Sequence, residues 1–398
     1  MTHLNLPSSS SPKPYRSESP SPQPRQREAG SAGPSPRETA GATVPFSLAS
    51  SSNTTASGAT VITHFEKRSG SAPELPPIKE LVNKLNAETR PHKDVIFELR
   101  TAKGYFATKL ERSKQTEIKD REKTNDLITP ILNSENARNP GLNAVACTDK
   151  NEMMTVLRDA SNLTQGQEGH IRFLFGDVHK LAVDAFKHRD GGFTLISVDS
   201  LPHRQIGTEF GTLQKMNPDL IKGNLHLPTF NQVHNEGCHI FAVHTLNALH
   251  DYQPYIQNLH KQIHDAAKGW PAPNLTDPRW EKSEDTYIRE PKEGALGVLP
   301  GKFFKHIQVQ KPLEKRTVLD TAEEMNPAFK DQPVNKKGQT LRQRFESLNP
   351  SKRPEEFSRF DRTSSVDKKR LVLIDRAIAY YLGRAREDAR ARRKAHGL

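Results

Sequence analysis

The chain has 398 residues, 33% of them hydrophobic, and its 59 Lys and Arg against 47 Asp and Glu leave a formal charge of +12. A hydrophobic share below the usual level of about 45–50% excludes a chain that is folded core throughout. The 2 cysteines exclude a disulfide framework or a Cys-rich zinc module, and no run of about 18 apolar residues is present to span a membrane. The positive balance predicts an anionic partner, which charge alone leaves open among nucleic acid, a lipid surface, a polyphosphate and an acidic protein.

Residues 1–60 hold 14 Ser and 9 Pro. Such a composition cannot bury enough apolar surface to offset the entropy of ordering its backbone, so this leader is expected to be disordered. It lacks the apolar core and small-residue cleavage site of a secretory signal peptide, and Thr2 stands where myristoylation requires Gly. Order is expected from about Pro76. Ile78, Leu81 and Leu85, then Val95, Ile96 and Leu99, recur at helical spacing up to Leu110, with a break at Arg90-Pro91. A helix over Asn125–Ser134 tolerates Pro130, Asn139–Asn143 is a turn, and Met153–Leu163 is a short helix. The centre is β-rich: Ile171–Phe175, His179–Phe186 and Phe193–Val198, with Asp190-Gly191-Gly192 as a hairpin signal. Ile240, Phe241, Val243, Leu246 and Leu249 repeat with a period near 3.6, so a helix begins at about Cys238. Residues 265–300 read as a surface excursion, and a long helix runs from Leu371 to about Ala395 with a basic end. Strands flanked by helices indicate a mixed α/β or α+β domain.

Cys238 stands out because it opens an apolar-faced helix, where free amides and the helix dipole stabilise a thiolate. A buried, inert thiol would give the same pattern. A thiol nucleophile needs a base, and the base an orienting group. If the hairpin pairs His179 with Asp199, Leu181 with Ser197, Val183 with Leu195 and Ala185 with Phe193, an apolar sheet face ends in a His opposite an Asp. That pairing requires a loop that includes His188 and Arg189; another register would part the two. Gln232, six residues before Cys238, could donate to an oxyanion.

The run Gln232-Val-His-Asn-Glu-Gly-Cys238-His-Ile-Phe-Ala-Val, with His179 and Asp199 upstream, resembles the YopJ/AvrRxv family of type III secreted effectors. Asp126–Leu132 with Asn139–Asn143, Leu299–Gln308 and Val334–Phe345 extend the resemblance over about residues 76–350. It implies an α+β, ubiquitin-like-protease (papain-related) catalytic core turned to acetyl transfer. Residues 166–300 would form that core. Residues 76–165 and 301–398 would form a helical regulatory region, and residues 1–75 a leader read by a type III secretion system.

By that analogy Asp199 orients His179, His179 deprotonates Cys238, and the thiolate takes acetyl from acetyl-CoA for Ser, Thr or Lys of host proteins, with immune signalling or cytoskeletal components as target classes. The host compartment stays open between cytoplasm and nucleus. His179, Ser197 and His234 are the candidates for contacting acetyl-CoA. The family is activated by inositol hexakisphosphate (IP6). Residues 301–344 hold ten Lys or Arg against five Asp or Glu, and Lys305, His306, Lys336, Lys337 and Arg344 fall in the matching motifs. Lys305 also matches the lysine this family acetylates on itself.

The chain departs from the pattern in carrying Asp199 where many members have Glu, one residue further from the His, and Gly237 and His239 around the nucleophile. The same triad with water as acceptor would be a cysteine peptidase acting on ubiquitin-like modifiers, and a degenerate triad would leave a basic scaffold protein. His260 and His264 stand at metal-binding spacing, but no third ligand is evident in the sequence. They read as solvated or satisfied histidines, and Cys147 reads as structural. The basic stretch Arg384–Lys394 reads as the exposed end of a helix framing the regulatory site rather than a nucleic-acid patch.

Overall fold

The computed structural model describes residues 76–111, 126–201, 204–229, 231, 237–267, 280–283, 286–289, 295, 298–306, 323, 330–347 and 359–396. The Ser/Pro leader, Gln232 and His234 lie outside the described residues. Two helices come first, α1 (Pro76–Leu85) and α2 (His92–Glu111), parted at Arg90-Pro91 as the proline requires. α3 (Ile128–Arg138) leads through a turn to β1 (Ala144–Cys147). α4 (Lys150–Leu163) starts on Asp149, whose carboxylate accepts from the N–H groups of Asn151 and Glu152. Then follow β2 (Gly169–Phe175), β3 (Leu181–Lys187), β4 (Phe193–Asp199), α5 (Arg204–Met216) and β5 (Ile221–Pro228). After them come α6 (Cys238–Asp251), α7 (Gln253–Ala267), β6 (Trp280–Ser283) and β7 (Thr286–Arg289). A 3-10 turn at Gly301–Phe304, the short α8 (Leu341–Ser347) and the 37-residue α9 (Arg359–Ala395) complete the described chain.

The strands make a seven-stranded sheet in the order β1-β2-β3-β4-β5-β7-β6. β2, β3 and β4 form an antiparallel meander, flanked by parallel pairings of β1 with β2, β4 with β5 and β5 with β7. Every residue of β3 and β4 is buried, because helices cover both faces and alternation becomes a choice of side rather than of burial. Leu181, Val183, Ala185, Phe193 and Leu195 join one core with Val82, Leu157 and Phe210 of α1, α4 and α5. Ala182, Ile196 and Val198 join the other, with Leu99, Leu132, Leu246 and Ile374 of α2, α3, α6 and α9.

The helix that begins at Cys238 is buried on all sides from Cys238 to His250, not along one apolar stripe. Three of its polar side chains reach partners outside the helix. Asn247 donates to Glu135 at 2.9 Å, and His244 and His250 meet the carbonyls of Lys302 and Pro140 at 3.0 and 3.1 Å.

Two expectations are corrected. The hairpin register pairs Val183 with Ser197 and Ala185 with Leu195, two residues along from the expected pairing. The turn closes across His188 and Gly192 (N–H to O, 2.8 Å), with Gly191 in the left-handed region at φ 96°. Residues 265–300 are also more than a surface excursion, since β6 and β7 arise there and β7 extends the sheet by pairing with Asn224–His226.

Candidate active site

Cys238 is the first residue of α6, and Gly237 before it has φ 91°. The main-chain N–H groups of Ile240 and Phe241 return to the Gly237 carbonyl at 2.9 and 3.1 Å. Those of His239 and Lys180 point at the Cys238 sulfur instead. Burial pushes this thiol up, but the hydrogen bonds from the His179 ring and from these amides outweigh it and bring the thiol below its ordinary value. Burial likewise pushes His179 down, while hydrogen bonds to Asp199 and Cys238 hold it up at about 9. Both shifts favour the same pairing, a thiolate facing an imidazolium.

His179 Nε2 lies 2.6 Å from Asp199 Oδ1, which leaves Nδ1 for the thiol. Asp199 is fully buried and held on three sides. Its Oδ1 accepts the Leu201 N–H at 2.9 Å, and its carbonyl accepts the N–H and hydroxyl of Thr229 at 2.7 and 2.8 Å. The sulfur itself has no exposed surface, whereas the His179 side chain keeps 19% of its own. The three side chains are therefore open to solvent on the His179 side.

A second feature is a cavity of about 810 Å³, whose wall includes Arg138, Lys302, Lys305, Lys336, Lys369 and Arg376. Arg138 and Arg376 share the buried carboxylate of Glu135 at 2.9 and 3.1 Å, and Lys302 pairs with Asp251. The remaining charge is poorly compensated. Lys369 is pushed down to about 8 by burial, partly offset by Glu135 and reinforced by Arg376, Lys305 and Arg138. Lys305 is lowered by burial, then by Arg344 and Arg376. His244, on the same wall, stacks edge-on against His306 at 4.6 Å. Burial first of all, and then neighbouring cations, hold both imidazoles neutral.

At the hairpin end of the sheet, His170, Asp184 and His260 bring potential metal ligands within 4.8 Å of one another. The partners of His260 are thus His170 and Asp184 and not His264. Arg172 Nε, however, stands 3.3 Å from Asp184 Oδ2 and neutralises the carboxylate. His260 gives its Nδ1 to Thr194 at 2.8 Å, and His264 binds Asp190 at 2.8 Å. The cluster is a charge-balanced polar network inside the core.

The family profile described as YopJ Serine/Threonine acetyltransferase matches residues 99–376. The chain belongs to this family. Among curated protein sequences no relative matches. Solved structures similar to this YopJ-family chain include "AvrA delL154 with IP6, CoA", at 18% identity and TM-score 0.54, covering 71% of this chain and 98% of that one. Two structures of HopZ1a, one titled as a complex with IP6 and one with IP6 and CoA, stand at 16% and 17% identity. Each has TM-score 0.53 and covers 76% of this chain and 97% of that one. At these identities the likeness is one of fold, which is papain-like.

In this YopJ-family chain His179, Asp199 and Cys238 come together by a route other than the one expected. His179 precedes β3 and reaches Asp199 from a loop, diagonally, rather than as a cross-strand partner. Ser197 is buried, with its hydroxyl engaged by His226 at 2.9 Å, so the expectation that it contacts acetyl-CoA is corrected. Of the five residues expected to bind polyphosphate, Lys305 and Lys336 line the cavity. His306 is packed behind His244, Lys337 is exposed, and Arg344 donates to the Lys305 carbonyl at 3.1 Å. The cavity's Arg138, Lys302, Lys369 and Arg376 went unrecognised in the sequence. Lys369 and Arg376 stand two helical turns apart, a spacing that puts them on one flank of α9 and could have revealed them.

Proposed function

We propose that this chain is a bacterial effector, delivered into host cells, that carries acetyl from acetyl-CoA on Cys238 to Ser, Thr or Lys of host proteins and of itself, and that IP6 switches it on. The observation that supports the chemistry best is the 2.6 Å bond between His179 and Asp199 behind a thiol at the head of a buried helix. The Cys238 thiolate attacks the thioester carbonyl. As the carbon–sulfur bond to CoA breaks, the His179 imidazolium gives its proton to the departing thiolate, leaving acetyl-Cys238, free CoA and neutral His179. Neutral His179 then takes the proton of the acceptor as its oxygen or nitrogen attacks acetyl-Cys238, which restores the ion pair. Asp199 keeps the imidazole in place throughout. Water in the acceptor's position would make the same site a hydrolase, so exclusion of water decides the outcome. Gln232, outside the described residues, remains the proposed oxyanion donor, and His234 a proposed CoA contact.

The cavity fits a compact polyanion: its cations come from α3, the 3-10 turn, the 331–336 loop and α9, and burial leaves Lys369 and Lys305 short of negative partners. IP6 and CoA are named together in the titles of AvrA and HopZ1a structures, which supports the same pair of ligands here. α9 joins the two sites. It carries Lys369 and Arg376 on the cavity wall, while a Cβ on Gly237 would come within 3.2 Å of Val366 and 4.0 Å of Arg370 on the same helix. An anion that fixes α9 therefore also fixes the start of α6. Residues 76–165 and 301–398 act in this reading as the regulatory region around a 166–300 core. Acetylation of Lys305 would remove one cavity charge and weaken the hold on the activator.

Incubation with labelled acetyl-CoA, with and without IP6, tests the proposal. Label on the protein that requires IP6 and is lost in Cys238→Ala is expected; label that persists in Cys238→Ala rules out the thioester route.

A further inference from the structure

The loop that carries the base is not held by sheet pairing, because the β2–β3 ladder ends at Phe175 and Leu181. An imidazole that must meet both a thiolate and a carboxylate has to be placed to within about 0.5 Å. Three contacts do this for residues 176–180. The Gly176 N–H donates to the Cys147 carbonyl at 3.0 Å, tying the start of the loop to the end of β1. Gly176 has φ 106°, and a Cβ there would lie 2.1 Å from the His179 carbonyl oxygen, so the backbone folds directly onto the residue that bears the imidazole. Finally, Lys180 donates its ammonium back to the Gly176 carbonyl and closes the loop from inside.

Lys180 is only 5% exposed. Burying an ammonium on a neutral carbonyl costs desolvation that an apolar side chain would not incur, so stability alone is a poor account of a lysine here. Lys187, at the other end of β3, makes the same kind of bonds, to the carbonyls of Thr164 and Gln167 at 2.8 and 3.3 Å. What distinguishes Lys180 is its place. It follows His179, its main-chain N–H points at the Cys238 sulfur, and its ammonium is supported by the charges of Asp177, Cys238 and Glu152.

We infer that Lys180 is a positioning residue for both members of the catalytic pair: its side chain, through Gly176, sets where His179 stands, and its main chain sets where the Cys238 sulfur stands. Its positive charge also favours the thiolate over the thiol. This inference rests on reading His179 and Cys238 as base and nucleophile.

The test uses the full chain and two readouts: the pH dependence of Cys238 alkylation by iodoacetamide, followed on the Cys238 peptide, and label transfer from acetyl-CoA in the presence of IP6. Lys180→Met keeps the stem and removes the ammonium. Its alkylation midpoint is expected to move up by about one unit, a roughly tenfold slower reaction below the midpoint, and acetyl-Cys238 formation is expected to fall in parallel. Lys180→Arg, which keeps a cation able to reach the carbonyl, is expected to restore most of both. Lys187→Met serves as the control, expected to lower the melting temperature without moving the midpoint. Should Lys180→Met not fold, Lys180→Gln removes the same charge with a polar stem and is read the same way. Folded variants whose alkylation profiles superimpose on the parent's overturn the inference, whatever their melting temperatures. A shifted alkylation midpoint in a protein that takes no acetyl label would retain the positioning role and overturn the acetyl-transfer reading instead.

Discussion

A thiolate and an imidazolium that stabilise each other respond to pH at both ends. Because the Cys238 thiol lies below its ordinary value, alkylation should persist to lower pH than for a free cysteine and fail as pH drops through that lowered value. His179 is raised to about 9, so its proton is kept until pH climbs through 9, and acetyl transfer should decline above it. Asp199→Asn keeps the shape but removes the charge that supports the imidazolium. The expected result is an alkaline limb displaced to lower pH and a loss of at least about a hundredfold in acetyl transfer at neutral pH. A pH profile unchanged in Asp199→Asn would mean that the 2.6 Å contact does not govern the base.

At the scale of elements, the junction of α6 with α9 is the sensitive joint. Gly237 combines φ 91° with a neighbour that would sit 3.2 Å from any Cβ. Gly237→Ala should therefore cost about 1 kcal/mol or more, seen as a fall of roughly 2–4 °C in melting temperature. Acetyl-Cys238 formation should fall by more than that loss of stability explains, since the strain falls on the residue before the nucleophile. Equal effects on stability and activity would make Gly237 a structural residue only.

Much at this scale is legible in the sequence: the proline break between α1 and α2, the meander of β2, β3 and β4, and the start of α6 at Cys238 all follow from local pattern. What escaped has physical reasons. β1 and β5 pair in parallel with strands some 28 residues away, Ala144 with Arg172 and Ile221 with Phe193, so no hairpin signal marks them. The hairpin register is not readable from the pattern because the residues of β3 and β4 are buried on either face, and hydrophobicity then carries no information about which side is inward. The His179–Asp199 contact was anticipated with the wrong geometry for that reason. Lys369 and Arg376 were invisible as ligands because their cavity is assembled from four separate segments, and only the fold brings these together.

For the molecule as a whole, burial of charge and of imidazoles sets two solution properties. Lys369 titrates near 8 in the cavity, and a bound polyanion raises it. Binding of IP6 at pH 8 should thus take up protons, weaken as pH rises further, and weaken with salt. Calorimetry in two buffers of different ionisation enthalpy reads the proton count, and Lys369→Met should reduce it. A proton count that is zero in the parent would place the anion elsewhere. Separately, His244, His260 and His306 are kept neutral by burial, well below their ordinary value. The unfolded chain gains protons on these residues as pH falls through about 6.5 while the folded chain does not. Each therefore withdraws up to about 1.4 kcal/mol per pH unit below that point. Melting temperatures measured from pH 7 to pH 5 should fall steeply, and less steeply in His260→Gln; a flat profile would show that the imidazoles are protonated in place.

The long α9 packs against α2 and α3 and touches the first residues of α6 through Val366 and Arg370. Its partners thus lie far back in the chain, up to 296 residues earlier where Asp388 pairs with His92, and loops of that length close late in folding. During synthesis, the segment bearing the thiol and the segment bearing the base are made well before the helix that steadies them. On the acetyl-transfer reading, a chain interrupted before residue 366 would carry Cys238, His179 and Asp199 and still lack the support that α9 gives the start of α6.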